Sequence, residues 1–140
     1  MDETAEESLF VLRPIGRVKS PLRRPEDAPK QGTEGGPEAW VVLEADVDEA
    51  ARNLRAGDEV YLLTWLHRGR RDVLVVHPRD DPLQPQLGVF STRSQDRPNP
   101  IGLHRVEVVA VEEKRILVRN LEAIDGTPVI DIKPVLAGGF

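Results

Sequence analysis

Cysteine is absent from all 140 residues, which excludes disulfides, thiolate zinc sites and a thiol nucleophile. Aromatic residues are scarce: two Trp, one Tyr and three Phe leave little material for base stacking as a source of affinity. No apolar run reaches the length of a membrane span, and the acidic opening MDETAEESLF holds none of signal-peptide length. A cytoplasmic protein with no membrane contact is expected. There is no HExxH pair, and no metal is expected. GTEGGP at 32–37 is glycine-rich, but it lacks the GK[ST] ending of a phosphate-binding loop and the helix of a dinucleotide fingerprint.

An excess of positive charge is also missing. The formal net charge of −5 argues against a general nucleic-acid binder, since such domains are normally basic. The distribution matters more than the sum. Residues 1–87 carry 12 basic and 17 acidic side chains and residues 88–140 seven of each, yet Arg13, Arg17, Lys19, Arg23, Arg24 and Lys30 form a basic run. A local basic face can survive on an acidic chain, and a solvated, functionless set of surface charges fits the composition equally well.

What is present is concentrated at 88–103, GVFSTRSQDRPNPIGL. Pro98 and Pro100 fix φ near −65° and remove two backbone donors, so Asn99 is held between two stiff positions with an amide that both donates and accepts. A residue before proline is pushed out of the α region, which predicts an extended, rigid arm at Arg97 and Asn99. Arg93 and Arg97 add two planar guanidinium forks suited to carboxylates or phosphates. A second dense stretch, IDGTPVIDIKPVL at 124–136, supplies turn chemistry in Asp125, Gly126 and Pro128 and can expose Asp125 and Thr127 beside backbone N–H groups. From residue physics alone, a stiff loop and a simple turn explain both stretches as well as a site does.

At 140 residues the chain is one domain with a single core. Residues 9–18 read as a strand broken near Pro14 and Gly16, followed by a 20-residue loop of the length that is usually functional or disordered. A strand at 39–44 precedes a short helix over 47–55, with Asp46 as N-cap, Glu49 at capping-box spacing, and Val47, Ala50, Ala51 and Leu54 facing inward. DEVYLLTWLH and VLVVHP read as strands ending at His67 and His77. A histidine at such a place is more often a satisfied polar residue than a catalyst. Residues 103–123 read as a central hairpin turning near Glu113 and Lys114, with alternating apolar residues on both faces. The strands are too many and too evenly spaced for anything but an antiparallel sheet or barrel, and one helix cannot support a doubly wound sheet.

GVFSTRSQDRPNPIGL followed by DGTPVIDIKPVL resembles the paired signature of the TsaA-like family, also called the tRNA methyltransferase O family. The likeness is close over 88–136 and fainter over 13–87. It implies a mainly-β, antiparallel β-barrel with one short helix, a non-Rossmann S-adenosyl-L-methionine-dependent methyltransferase, so the absence of GxGxxG is expected. It further implies an acidic disordered stretch at 1–8, one barrel domain at 9–136 and a short tail at 137–140. The implied reaction is methylation of the exocyclic nitrogen of threonylcarbamoyladenosine next to the anticodon of tRNA by a homodimer. The donor site then falls on Gln31, Gly32, Thr33, His67, Arg68, Arg93, Leu103, Ile124, Asp125, Gly126 and Thr127. Asp125 and His67 are the candidate bases, and Arg97 and Asn99 the RNA contacts, with Arg97 projecting from its arm. Asp131 and Lys133 share one strand face and read as support for that arm. His104 departs from the family, which usually has a small polar residue there, as does Val135, where many relatives carry tyrosine. Two other classes remain open: a methyltransferase for a different small acceptor, and a non-catalytic ligand-binding barrel.

Overall fold

The computed structural model describes residues 8–23 and 36–137. Among these, eight strands form in chain order: β1 (Gly16–Lys19), β2 (Ala39–Leu43), β3 (Glu59–Trp65), β4 (Val75–Val76), β5 (Leu87–Gly88), β6 (Ile101–Glu112), β7 (Arg115–Arg119) and β8 (Pro128–Pro134). Six of them close into an antiparallel barrel in the order β1-β2-β7-β6-β3-β8, and β8 returns to pair with β1 at Gly16↔Val129. The pair β4–β5 lies outside it as a separate two-stranded ribbon. The expected mainly-β barrel is therefore the architecture found.

Alternation builds the core. Inward positions of every barrel strand are buried: Val18, Val41, Val60, Leu62, Val106, Val108, Ile116, Val118 and Val129, joined by Leu121. Burial of about nine such side chains at ~1.5 to 3 kcal/mol each is the main force closing the barrel. The hairpin β6–β7 turns at Glu113 and Lys114 and sits within the barrel wall, with β3 on one flank and β2 on the other. Two register shifts bend the wall, one between Val108 and Ala110 on β6 and one beside Leu63 and Thr64 on β3. The second lies near the barrel mouth, where a bulge re-aims side chains.

Three sequence expectations change. The strand expected over 9–18 begins only at Gly16, and Leu9, Phe10 and Val11 stand exposed. Pro14 cannot donate, and β2 offers partners only from Leu43 to Trp40, so the ladder ends there. The helix is a 3-10 helix over Ala45–Ala51, preceded by an extended Glu44 with no side-chain cap. Asp46 instead pairs with Arg13 at 2.9 Å, and Glu49 pairs with Arg52, so both carboxylates of the expected capping box are engaged elsewhere. Val47, Ala51 and Leu54 pack on the core as expected, while Ala50 is exposed. Finally, the strand read over VLVVHP shrinks to Val75–Val76 because it has only the two residues of β5 to pair with.

Candidate functional site

A cleft of about 1010 Å³ opens at one end of the barrel. Four separated segments wall it: the turn after β3 (Leu66, His67, Arg68), the 76–97 region, the start of β6 (Ile101 to Arg105), and the turn at 122–127.

The 89–97 wall is built around its own arginine. The Arg97 guanidinium donates to the carbonyls of Thr92 at 3.0 Å and Ser94 at 3.1 Å, and also to that of Val89. Hydroxyls continue the winding: Thr92 Oγ1 accepts from the Ser94 N–H at 3.2 Å, and Ser94 Oγ accepts from the Asp96 N–H at 3.1 Å. These are the local side-chain turns that Ser and Thr favour. Arg97 therefore does not project from its arm, as the sequence suggested. The guanidinium finds three carbonyls of its own loop within reach and is satisfied there.

The arm bends over 97–99, and the Ile101 N–H donates to the Asn99 carbonyl at 2.7 Å. It is anchored from outside. Arg71 donates to the Pro98 carbonyl at 2.7 Å and to Asn99 Oδ1 at 2.8 Å, while its guanidinium lies 5.3 Å from the Trp65 ring centre. Asp131 takes no part: its carboxylate accepts the Ile132 N–H at 2.8 Å, and both Asp131 and Lys133 are exposed on β8. Their expected support for the arm is replaced by Arg71.

Of the residues expected at the donor site, His67, Arg68, Arg93, Leu103, Ile124 and Thr127 line this one cleft, and Arg97 joins them. Arg68 and Arg93 are exposed and have no hydrogen-bond or ion-pair partner among the described residues. His67 is held below its ordinary pKa, first by burial and then by the charges of Arg68 and Arg17, which favours the neutral imidazole. Thr127 is buried and its hydroxyl donates to the Ile124 carbonyl at 2.7 Å, closing the turn in which Gly126 sits at φ +85°.

Asp125 faces elsewhere. It lines a smaller groove of about 510 Å³ with Lys19, Ser20 and Arg23. Its Oδ1 accepts the Ser20 N–H at 3.0 Å and its Oδ2 lies 3.9 Å from Arg23. Gln31, Gly32 and Thr33 lie outside the described residues, and Asn99 is on the outer arm beside Arg71.

The sequence reading missed a polar chain at the inner wall. His104 is buried on β6 between Gly102 and Val106, its Nε2 2.7 Å from Thr64 Oγ1 and its Nδ1 2.6 Å from Glu122 Oε1. The signal was available: in IGLHRVEV the inward alternation Gly102, His104, Val106, Val108 puts a histidine where only apolar residues belong. Gly102 is required above it, since a Cβ there would come within 2.4 Å of Thr64 Oγ1 and 2.7 Å of His104 Nε2.

Among the described residues no group of three or more His, Cys, Asp or Glu could hold a metal, and no helix is long and apolar enough to cross a membrane.

Comparison with known proteins bears on the family and the fold. A "Probable S-adenosyl-L-methionine-binding protein" of Methanothermobacter thermautotrophicus is 42% identical over 123 residues, covering 88% of each chain. An "S-adenosyl-L-methionine-binding protein" of Archaeoglobus fulgidus is 41% identical over 124 residues, 89% of this chain and 88% of that one. The crystal structure of TrmO from Pseudomonas aeruginosa superposes with a TM-score of 0.75 at 30% identity, over 93% of this chain. The chain spans only 57% of that solved structure's length. Residues 17–138 match the family model of the tRNA-methyltransferase O N-terminal domain, and the chain belongs to that family.

Proposed function

We propose that the chain transfers a methyl group from S-adenosyl-L-methionine to the exocyclic nitrogen of threonylcarbamoyladenosine beside the anticodon of tRNA, in the cytoplasm. The observation that carries this reading is the cleft itself. Segments around residues 67, 93, 103 and 124–127 line one cleft, and two guanidinium groups in it have no partner among the described residues.

The cleft suits such a donor. Its volume is at the upper end of that of small-molecule pockets, about 300 to 1,000 Å³. Arg68 and Arg93 offer forks for the donor's carboxylate, and Leu66, Ile101 and Leu103 form an apolar wall for its adenine. When bound, the donor supplies a methyl group on a sulfonium, open to in-line displacement. The chain contributes orientation, worth about 7 to 11 kcal/mol for well-aligned reactants.

An acylated nitrogen has a poor lone pair, so loss of its proton helps. His67 is assigned as the base because the neutral ring favoured by its surroundings can accept that proton. A positioned base contributes roughly a hundred- to ten-thousandfold. Asp125 is the second candidate for that role, but the Ser20 N–H and Arg23 already engage its carboxylate. We assign it to holding the 124–127 turn.

For tRNA we assign phosphate contact to Arg17 and Lys19, both exposed on β1, with Arg17 close enough to the cleft to depress the titration of His67. Asn99, whose carbonyl is fixed by Arg71, has amide N–H donors to offer the modified base. Arg97 supports RNA binding by shaping its loop. A homodimer is proposed across the 74–90 region, where Leu74, Leu83 and Phe90 stand exposed beside the cleft.

Titration calorimetry with S-adenosyl-L-methionine tests the donor assignment. A micromolar dissociation constant, about −8 kcal/mol, is expected. No heat at millimolar donor would overturn it. Label transfer to tRNA then separates this function from methylation of another acceptor and from binding without catalysis.

A further inference from the structure

A carboxylate in a half-buried position normally has a cation beside it or several hydrogen bonds, because desolvating it alone is costly. The Glu122 side chain is only 17% exposed, lines the cleft, and has no lysine or arginine within ion-pair distance among the described residues. Its one bond is from His104 Nδ1 to Oε1, and Oε2 has no partner among them. Thr64 is fully buried, and its hydroxyl proton has no acceptor other than His104 Nε2 among the described residues. With the Thr64 hydroxyl donating to Nε2, the N–H at Nδ1 is the one given to Glu122 Oε1. The chain Thr64–His104–Glu122 thus holds a carboxylate at the inner wall of a cleft otherwise rich in arginine.

Of the other two carboxylates lining the cleft, Asp96 accepts the Arg70 N–H at 2.9 Å and Asp80 is exposed on the outer turn. Low exposure is where an unpaired charge acts most strongly on a ligand.

We propose that Glu122, fixed by the buried His104, is the anionic subsite for the donor's positive charge. This rests on the donor assignment above and deepens it. The donor carries two cations, the sulfonium and the α-ammonium, and the sulfonium is the one the reaction removes. As the methyl carbon bonds to the acceptor nitrogen, the carbon–sulfur bond pair returns to sulfur and leaves a neutral thioether, while the nitrogen's proton passes to the base. A carboxylate at the sulfonium then attracts the donor but not the product, so the spent donor is released.

The test is calorimetry with S-adenosyl-L-methionine and S-adenosyl-L-homocysteine on the wild-type chain, on Glu122→Gln and on His104→Gln. Glu122→Gln keeps an oxygen to accept from His104 and removes only the charge. It is expected to weaken binding of the methionine form by tenfold or more and to change binding of the homocysteine form less than about threefold, which places Glu122 at the sulfonium. Equal loss for both also supports the subsite and places it at the α-ammonium. His104→Gln retains an N–H for Glu122 and the carboxylate's charge, and should stay within about threefold of wild type for both ligands. Unchanged affinity in Glu122→Gln, or an equal loss in His104→Gln, would overturn the inference. A wild-type chain that binds neither ligand would overturn the donor assignment itself and this subsite with it.

Discussion

Arg97 turns back on its own loop, and its guanidinium donates to the Val89 carbonyl eight residues earlier. The side chain that looks in the sequence like a free phosphate contact is the post around which 89–97 is wound. Arg97→Ala should therefore lower unfolding stability by about 2 to 3 kcal/mol, the worth of one charge-assisted hydrogen bond with little additivity from the others. Because Arg93 and Ser94 ride on this loop, donor affinity should fall with it. Urea denaturation and calorimetry on the variant check both.

Arg93 should behave in the opposite way. It is exposed and has no partner among the described residues, so Arg93→Ala should leave the unfolding free energy from urea denaturation unchanged within about 0.5 kcal/mol. Donor binding should nonetheless weaken by about 1.5 to 3 kcal/mol. A variant that binds donor normally would remove Arg93 from the site.

His67 gives a pH signature. Burial, then Arg68 and Arg17, hold its folded pKa below the value of about 6.5 expected in the unfolded chain. Between those two values the unfolded chain binds more protons, so acidification favours unfolding. Stability is full above about pH 6.5, declines as pH falls toward the folded pKa, and levels off below it. His67→Asn should flatten this part of the profile, measured as the difference in urea midpoint between the two proteins from pH 7.5 to 5.

Gly102 tests the packing over the polar chain. In Gly102→Ala the new methyl group meets Thr64 Oγ1 and His104 Nε2 at impossible distances, and both are pinned by their mutual hydrogen bond. The expected cost is about 1 to 3 kcal/mol. Thermal unfolding that matches wild type would show that the pair yields freely.

Period-two burial made the barrel legible: Val106 and Val108 on β6 and Ile116 and Val118 on β7 alternate as the sequence does, and the turn at Glu113 and Lys114 falls where expected. What local pattern could not show was partner supply. Leu9 to Leu12 have strand-like composition and no strand to pair with among the described residues, and Asp46 resembles a cap but is claimed by Arg13 from 33 residues away. The same holds for the site. His67, Arg68, Arg93 and Thr127 are legible through motif resemblance, whereas Glu122 matters because His104 meets it and Thr64 in turn meets His104, at separations of 18 and 40 residues that no local pattern shows.

Nucleoside mass spectrometry of tRNA incubated with the chain and methyl-labelled S-adenosyl-L-methionine tests the central claim most directly. The expected result is one labelled methyl group on threonylcarbamoyladenosine and none on tRNA that lacks this modification. Unlabelled tRNA, in a reaction where calorimetry shows the donor bound, would contradict the account.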